Sequence, residues 1–289
     1  MAIFSKRLLT GLIIGFTALF ALIEGGLWLT ALVLAIVILA SKEYTDILKH
    51  KGFLPSFKII LASSLIFAFL AYFNRFDLVP LAFTLSTMMA FLWVLFRGRQ
   101  PYIANVATTI LGFVYCGWFP LHLLFLRDLG STPIYNGLIK QNISAEGAAF
   151  AVMLLFSVII TDSFCYFVGC KFGKHKLSAV ISPNKTIEGA IGGTFMCVLF
   201  CALFGYTIML PWYHSLILGL LIAAFAQIGD LCESMIKRDA GVKDSSNILP
   251  GHGGFLDRTD SFVLTIPAVY YYLQFFVLNN FADIIKGLF

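Results

Sequence analysis

Nine long apolar runs, parted by short polar stretches, decide what this chain can become. They fall near residues 8–23, 27–40, 59–73, 78–96, 103–126, 146–169, 187–210, 213–231 and 261–280. A helix needs about 20 residues to cross the ~30 Å hydrocarbon layer of a bilayer. Most of the runs have that length, and the first two are short for a full span. They are not the ~10-residue alternating segments of a membrane barrel. A water-soluble globule is excluded by composition. The chain is 60% hydrophobic and only 12% charged, where soluble domains carry about 25% charged residues. In lipid, backbone polar groups must be satisfied within helices or a closed barrel. The sequence therefore predicts an all-α polytopic membrane protein with nine transmembrane helices. Glu24, Gly25 and Gly26 form the tight turn between the first two. The basic start at Lys6 and Arg7 mimics a secretion signal, but no small-residue cleavage site follows and further spans do, so it reads as a retained first helix.

Nine spans place the termini on opposite sides. Sixteen of the 20 lysines and arginines fall at the N-terminus or in even-numbered loops; only Arg75, Arg127, Lys140 and Lys286 fall on the other side. Positive loops stay in the cytosol, which predicts a cytosolic N-terminus and an external C-terminus. A miscount by one span would have scrambled this alternation. The net charge of +5 is mostly this bias, and no basic stripe with interleaved aromatics points to nucleic acid. The six cysteines, Cys116, Cys165, Cys170, Cys197, Cys201 and Cys232, lie mostly in or beside apolar spans without a CxxC pair. They read as packing residues. No internal repeat is visible. Residues 1–126 look like scaffold and lipid contact, and residues 127–289 like the catalytic region.

Three polar clusters stand out, all on the expected cytosolic side. The first is Asp162 in the sixth span, with Tyr166 one turn on and Gly169 beyond it. A carboxylate inside a membrane helix is expensive, which makes it a candidate for function; its bland reading is a structural partner for a lysine or hydroxyl. The second is Ser182 to Gly189. Ser182 or Asn184 is a candidate cap for a helix beginning near Thr186, and Lys185 adds a full charge where free N–H groups suit a phosphate. The third, from Asp230 to Asp260, is the densest. Asp230, Glu233 and Lys237 share one helical face. Lys243 and Asp244 follow in a polar loop. Pro250, Gly251, His252, Gly253 and Gly254 make a turn in which backbone can approach a ligand closely. A new helix then carries Asp257, Arg258 and Asp260. Two acidic helix faces across a glycine-rich turn suit Mg²⁺, which takes one or two carboxylates and fills its shell with water and phosphate oxygens.

These residues carry a resemblance. Ser234, Lys237 and Arg238, then Lys243 and Asp244, then the Pro250–Gly254 turn, then Asp257, Arg258 and Asp260 resemble the signature of the phosphatidate cytidylyltransferases, with no departure over 234–260. Asp162, Tyr166 and Gly169, and Ser182, Lys185, Thr186, Glu188 and Gly189, are also similar to that family. Before Ala145 the likeness rests only on apolar spans and length. The resemblance implies the reaction CTP + phosphatidate → CDP-diacylglycerol + pyrophosphate, with Mg²⁺. It favours Asp230 and Asp257 as the metal ligands, with Asp260 or Asp162 completing or orienting the site. Lys185, Lys237, Arg238 and Arg258 are expected on phosphates, and His252 as a donor to a phosphate or the leaving group. Tyr166, Ser182, Thr186, Glu188, Lys243, Asp244, Gly253 and Gly254 are the remaining substrate-binding candidates. A second ion such as K⁺ and a homodimer are compatible with it, and size suggests a bacterial plasma membrane with the site facing the cytosol.

The chemistry agrees with the residue types. The attacking phosphate monoester is largely ionised near neutral pH, since its second pKa is about 6, so no dedicated base is demanded. The difficulty is bringing two polyanions together, which calls for cations and in-line alignment. Two other readings use similar features. A CTP-dependent lipid kinase would move the γ-phosphoryl group instead. A secondary transporter would also place polar groups in membrane helices, but commonly with a two-fold repeat and a mid-membrane site.

Overall fold

The computed structural model describes residues 2–130, 134–136, 139–141, 144–246 and 253–278, with side chains from residue 11 onward except at 134–136, 139 and 141. The chain is helical almost throughout. In order come α1 (Ala2–Glu24), α2 (Gly26–His50), α3 (Phe57–Tyr72), α4 (Val79–Arg97), α5 (Tyr102–Gly112) and α6 (Phe119–Arg127). A π-helical turn, Phe113–Trp118, joins the last two into one rod. A small hairpin, β1 (Ile134–Asn136) and β2 (Ile139–Gln141), precedes α7 (Ala145–Phe172). A second hairpin, β3 (Lys176–Ser178) and β4 (Ser182–Thr186), leads into α8 (Ile187–Thr207) and α9 (Trp212–Asp239). Then follow α10 (Leu256–Val263) and α11 (Thr265–Tyr272).

Among the described residues, seven helical stretches are long and apolar enough to cross a membrane, and two shorter apolar helices lie at Gly11–Glu24 and Phe57–Tyr72. Their outward residues are those of lipid contact: Phe16, Phe69, Phe96, Ile103 and Phe195 are all well exposed. The chain is thus an all-α, multi-pass membrane protein. Two helices outrun the apolar windows that announced them. The second window ends at residue 40, but α2 continues to His50; the eighth ends at 231, but α9 continues to Asp239. Hydropathy detects the lipid layer, whereas a helix persists wherever its own hydrogen bonds do.

The chain divides into two compact units. The first holds Met1–Phe125, Pro133–Asn142 and Met235–Thr259; the second holds Leu126–Thr132, Ile143–Ser234 and Asp260–Phe289. In the first, Tyr44, Phe67, Phe113, Leu29, Ile60 and Leu121 form the core. Tyr44 of α2 donates its hydroxyl to the Thr108 carbonyl at 2.9 Å. The loop before α3 is pinned by Leu54 N–H on Asn105 Oδ1 at 2.7 Å and Ser56 N–H on Thr109 Oγ1 at 3.0 Å. Phe67 lies against Phe83, Phe113 and Trp118, with ring centroids 4.7, 6.1 and 5.2 Å away.

In the second unit, α7 and α8 pack backbone to backbone. A Cβ on Gly189 would sit 2.6 Å from the Cys165 carbonyl, and one on Gly193 would sit 2.8 Å from the Thr161 carbonyl. Small residues at such a seam let membrane helices approach closely, where dispersion contacts replace a hydrophobic drive that lipid does not supply. Gln227 of α9 then reaches α8, donating to Thr194 Oγ1 at 3.1 Å.

Candidate active site

Each unit builds one charged cluster. In the second unit, the short strand β4 presents Lys185 just before α8. The helix cap is neither Ser182 nor Asn184, as the sequence suggested, because both lie in β4. Thr186 does it, in extended backbone (φ −124°, ψ 152°) with its hydroxyl accepting from Gly189 N–H at 3.2 Å. A β-branched residue ending a strand already holds the extended dihedrals that an N-cap needs. Glu188 braces the other side. Its carboxylate accepts from the backbone N–H groups of Lys174 and His175 at 3.0 and 3.2 Å and pairs with His175 Nδ1 at 2.6 Å. Thus held, Lys185 extends its ammonium to Asp230 of α9, with Nζ 2.6 Å from Oδ2. The pair is only partly covered, at 25% and 30% side-chain exposure, so both groups remain accessible to a ligand.

Gly229 sets what stands beside Asp230. A Cβ there would lie 2.5 Å from the Asp260 carbonyl oxygen, so α9 and α10 touch at backbone distance. One residue further on α10, Ser261 donates to Asp162 Oδ1 of α7 at 3.3 Å, and its N–H donates to Asp260 Oδ1 at 2.7 Å. The second unit therefore gathers Asp162, Lys185, Asp230 and Asp260 from α7, β4, α9 and α10. Tyr166, one turn from Asp162, is 67% exposed and lies against Phe167 instead of joining them.

The first unit organises its cluster around Asp257, in the first turn of α10. Its Oδ1 receives Lys237 Nζ at 2.6 Å, and its Oδ2 receives Ser245 Oγ at 2.7 Å and Gly254 N–H at 2.8 Å. Both members of the Lys237–Asp257 pair are just 10% exposed. Gly253 adopts φ +78° and would clash with Asp257 if it bore a Cβ; Gly254 would clash with Ser245 and Glu43. The glycine turn that the sequence offered as a ligand approach is thus partly consumed in seating two carboxylates. Arg238 donates to the Val242 carbonyl at 3.2 Å, and Lys243, Asp244 and Arg258 are exposed. His252, with Pro250 and Gly251, lies outside the described residues.

Glu43 is the residue that sequence reasoning missed. It belongs to the part of α2 beyond the apolar window. Its signal was available: Ala40, Tyr44, Ile47 and Leu48 keep helical spacing across the charges, which marks a continuing helix with a buried face.

The donor set suits magnesium. The charged ligands on offer are carboxylates, flanked by serine hydroxyls, and hard oxygen is what Mg²⁺ prefers. Among the described residues, no three His, Cys, Asp or Glu side chains converge into a site that holds a metal unaided.

Residues 5–276 match the model of the cytidylyltransferase family, and the chain belongs to that family. It is 34% identical to a phosphatidate cytidylyltransferase of Synechocystis over 93% of this chain and 97% of that one. It is 33% identical to a phosphatidate cytidylyltransferase of Bacillus subtilis, over 94% of this chain and 98% of the relative. A chloroplastic phosphatidate cytidylyltransferase of Arabidopsis thaliana is 32% identical over 94% of this chain and 72% of its own length.

Proposed function

We propose that this membrane enzyme transfers CMP from CTP to phosphatidate, releasing pyrophosphate and leaving CDP-diacylglycerol for phospholipid synthesis. The observation that carries the reading is likeness along nearly the whole chain to enzymes of that name. The clusters supply what the reaction needs. Phosphatidate and CTP repel each other, and Lys185, Lys237, Arg238 and Arg258 are the cations proposed to hold their phosphates. Lys185 is offered by a rigid hairpin and a capped helix, so its ammonium arrives without a large ordering cost. On phosphate binding it exchanges the Asp230 carboxylate for a phosphate oxygen. Asp230 and Asp257 are the proposed Mg²⁺ ligands, with Asp162 and Asp260 orienting the site. The ion, when bound, would neutralise phosphate charge and stabilise the departing pyrophosphate. His252 is proposed as a donor to a phosphate, and Tyr166, Ser182, Thr186, Glu188, Lys243, Asp244, Gly253 and Gly254 as residues lining or bracing the substrate sites.

The positive-inside bias supports nine crossings, a cytosolic N-terminus and a site facing the cytosol, where CTP resides, in a bacterial inner membrane. Residues 1–126 then serve as scaffold and lipid contact and 127–289 as the catalytic region, with a homodimer and a second ion such as K⁺ as further parts of the proposal. Purified protein given CTP labelled at the α-phosphorus and phosphatidate should place label in the organic phase, and chelation by EDTA should abolish it. Label that reaches lipid only from the γ-position would show a lipid kinase instead.

A further inference from the structure

We propose that Glu43, far from the catalytic signature in sequence, is a positioning residue that sets the Asp257 carboxylate for the reaction. This rests on the reading of Asp257 as part of the active site. Glu43 is 2% exposed, in a chain where burying a carboxylate is costly unless it is fully hydrogen-bonded. It meets that demand with three donors and a neighbouring hydroxyl. Its Oε1 accepts from Ser246 Oγ at 2.5 Å and Phe255 N–H at 3.1 Å; its Oε2 accepts from Leu256 N–H at 2.8 Å and lies 3.2 Å from Ser245 Oγ.

The pattern of donors gives the residue its role. Phe255 and Leu256 present the first amides of α10, which the helix itself leaves without an acceptor. Helices usually satisfy such groups with their own N-cap side chain. Here a different helix supplies the acceptor, so the start of α10 is referenced to α2. Ser245 lies between the two acids, 3.2 Å from Glu43 Oε2 and 2.7 Å from Asp257 Oδ2. A hydroxyl has one proton, and the shorter contact assigns it to Asp257. Glu43 also fixes Ser246, the neighbour of Ser245. The Ser245 N–H, itself 3.0 Å from Asp257 Oδ2, is thereby placed on its target. Gly254 completes the wedge, because a Cβ there would lie 2.5 Å from Glu43 Oε2 and closer still to Ser245 Oγ. Asp257 thus receives three of its donor contacts, from Ser245 and Gly254, through groups that Glu43 holds or abuts. Glu43 touches no reacting atom; it acts through Asp257.

The test compares full-length wild type with Glu43→Gln, which keeps the shape but turns an NH₂ toward donors, and with Ser246→Ala, which removes one tether and leaves the acid. Ser144→Ala serves as control, since Ser144 caps α7 by accepting from Gly147 N–H. Two quantities are read: kcat and KM for CMP transfer, and the Mg²⁺ concentration that half-saturates stabilisation against heat by Mg²⁺ with a non-hydrolysable CTP analogue. Residues that orient metal ligands typically contribute about 10- to 100-fold. Glu43→Gln should lower kcat at least tenfold, change KM for CTP less than threefold, and raise the half-saturating Mg²⁺ about tenfold; Ser246→Ala should fall between. Ser144→Ala should lower the melting temperature while leaving both quantities at wild-type values. If the Mg²⁺ midpoint and kcat of both Glu43→Gln and Ser246→Ala match wild type, or if Ser144→Ala shifts them equally, the positioning role is wrong. A wild-type protein that transfers no CMP would instead sink the proposed activity.

Discussion

Adding one methyl group at Gly229 tests whether close approach of α9 and α10 is needed for chemistry. The Cβ of Gly229→Ala would fall 2.5 Å from the Asp260 carbonyl oxygen, where ordinary contact begins at 3.4 Å. The obstacle is backbone, so no side chain can swing aside. Relief requires the helices to part by about 0.9 Å, the difference of those two distances. That moves Asp230, the next residue, relative to Asp260 by nearly the same amount. A misplacement of about 1 Å is enough to lower turnover roughly 100-fold. Overpacking alone costs about 1–3 kcal/mol, so the protein should still insert and fold. Gly219→Ala is the matched control: its Cβ would meet Val198 Cα at 2.7 Å, a comparably tight backbone contact earlier on the same helix and away from the charged cluster. CMP transfer from α-labelled CTP, measured in detergent micelles and normalised to folded protein, gives the comparison. Turnover by Gly229→Ala within threefold of wild type, or equal loss in Gly219→Ala, would refute the reasoning.

Other outcomes follow from the same contacts. Asp230→Asn and Asp257→Asn should each abolish CMP transfer while membrane insertion stays intact, checked by parallel activity and membrane-fraction assays. Lys237→Met should leave Asp257 buried without its cation and destabilise the protein by about 3 kcal/mol, seen as a lower melting temperature. Thr186→Val keeps the extended backbone but loses the cap, at about 1 kcal/mol; a circular dichroism melt should show the small drop. Lys185→Met should lower kcat/KM for CTP or phosphatidate by about 100-fold through loss of a phosphate-binding charge, with little change in stability because its pair with Asp230 is partly exposed.

The fold class was legible because lipid imposes a length and a polarity that few other constraints can imitate, and the windows around 146–169 and 187–210 became α7 and α8 almost unchanged. Helix ends were harder. Lys42, Glu43 and Asp46 lowered the local hydropathy although their backbone stays helical to His50. The signature residues were legible too, but their partners were not. Nothing in the linear order says that Lys185 meets Asp230, or that Ser261 meets Asp162 across 99 positions. That Thr186, and not Ser182 or Asn184, caps α8 depends on the strand preceding it, which no helical pattern announces. Glu43 escaped because its hydrogen-bond partners lie more than 200 positions away, beyond the reach of any local pattern.

That separation has a practical consequence for how such enzymes can be cut and recombined. Because α10 borrows its terminal acceptor from α2, a C-terminal fragment carrying the whole signature would begin α10 with exposed, unanswered amides. A chimaera joining the front of one relative to the back of another should work only when the donor segment brings an acid to the position of Glu43.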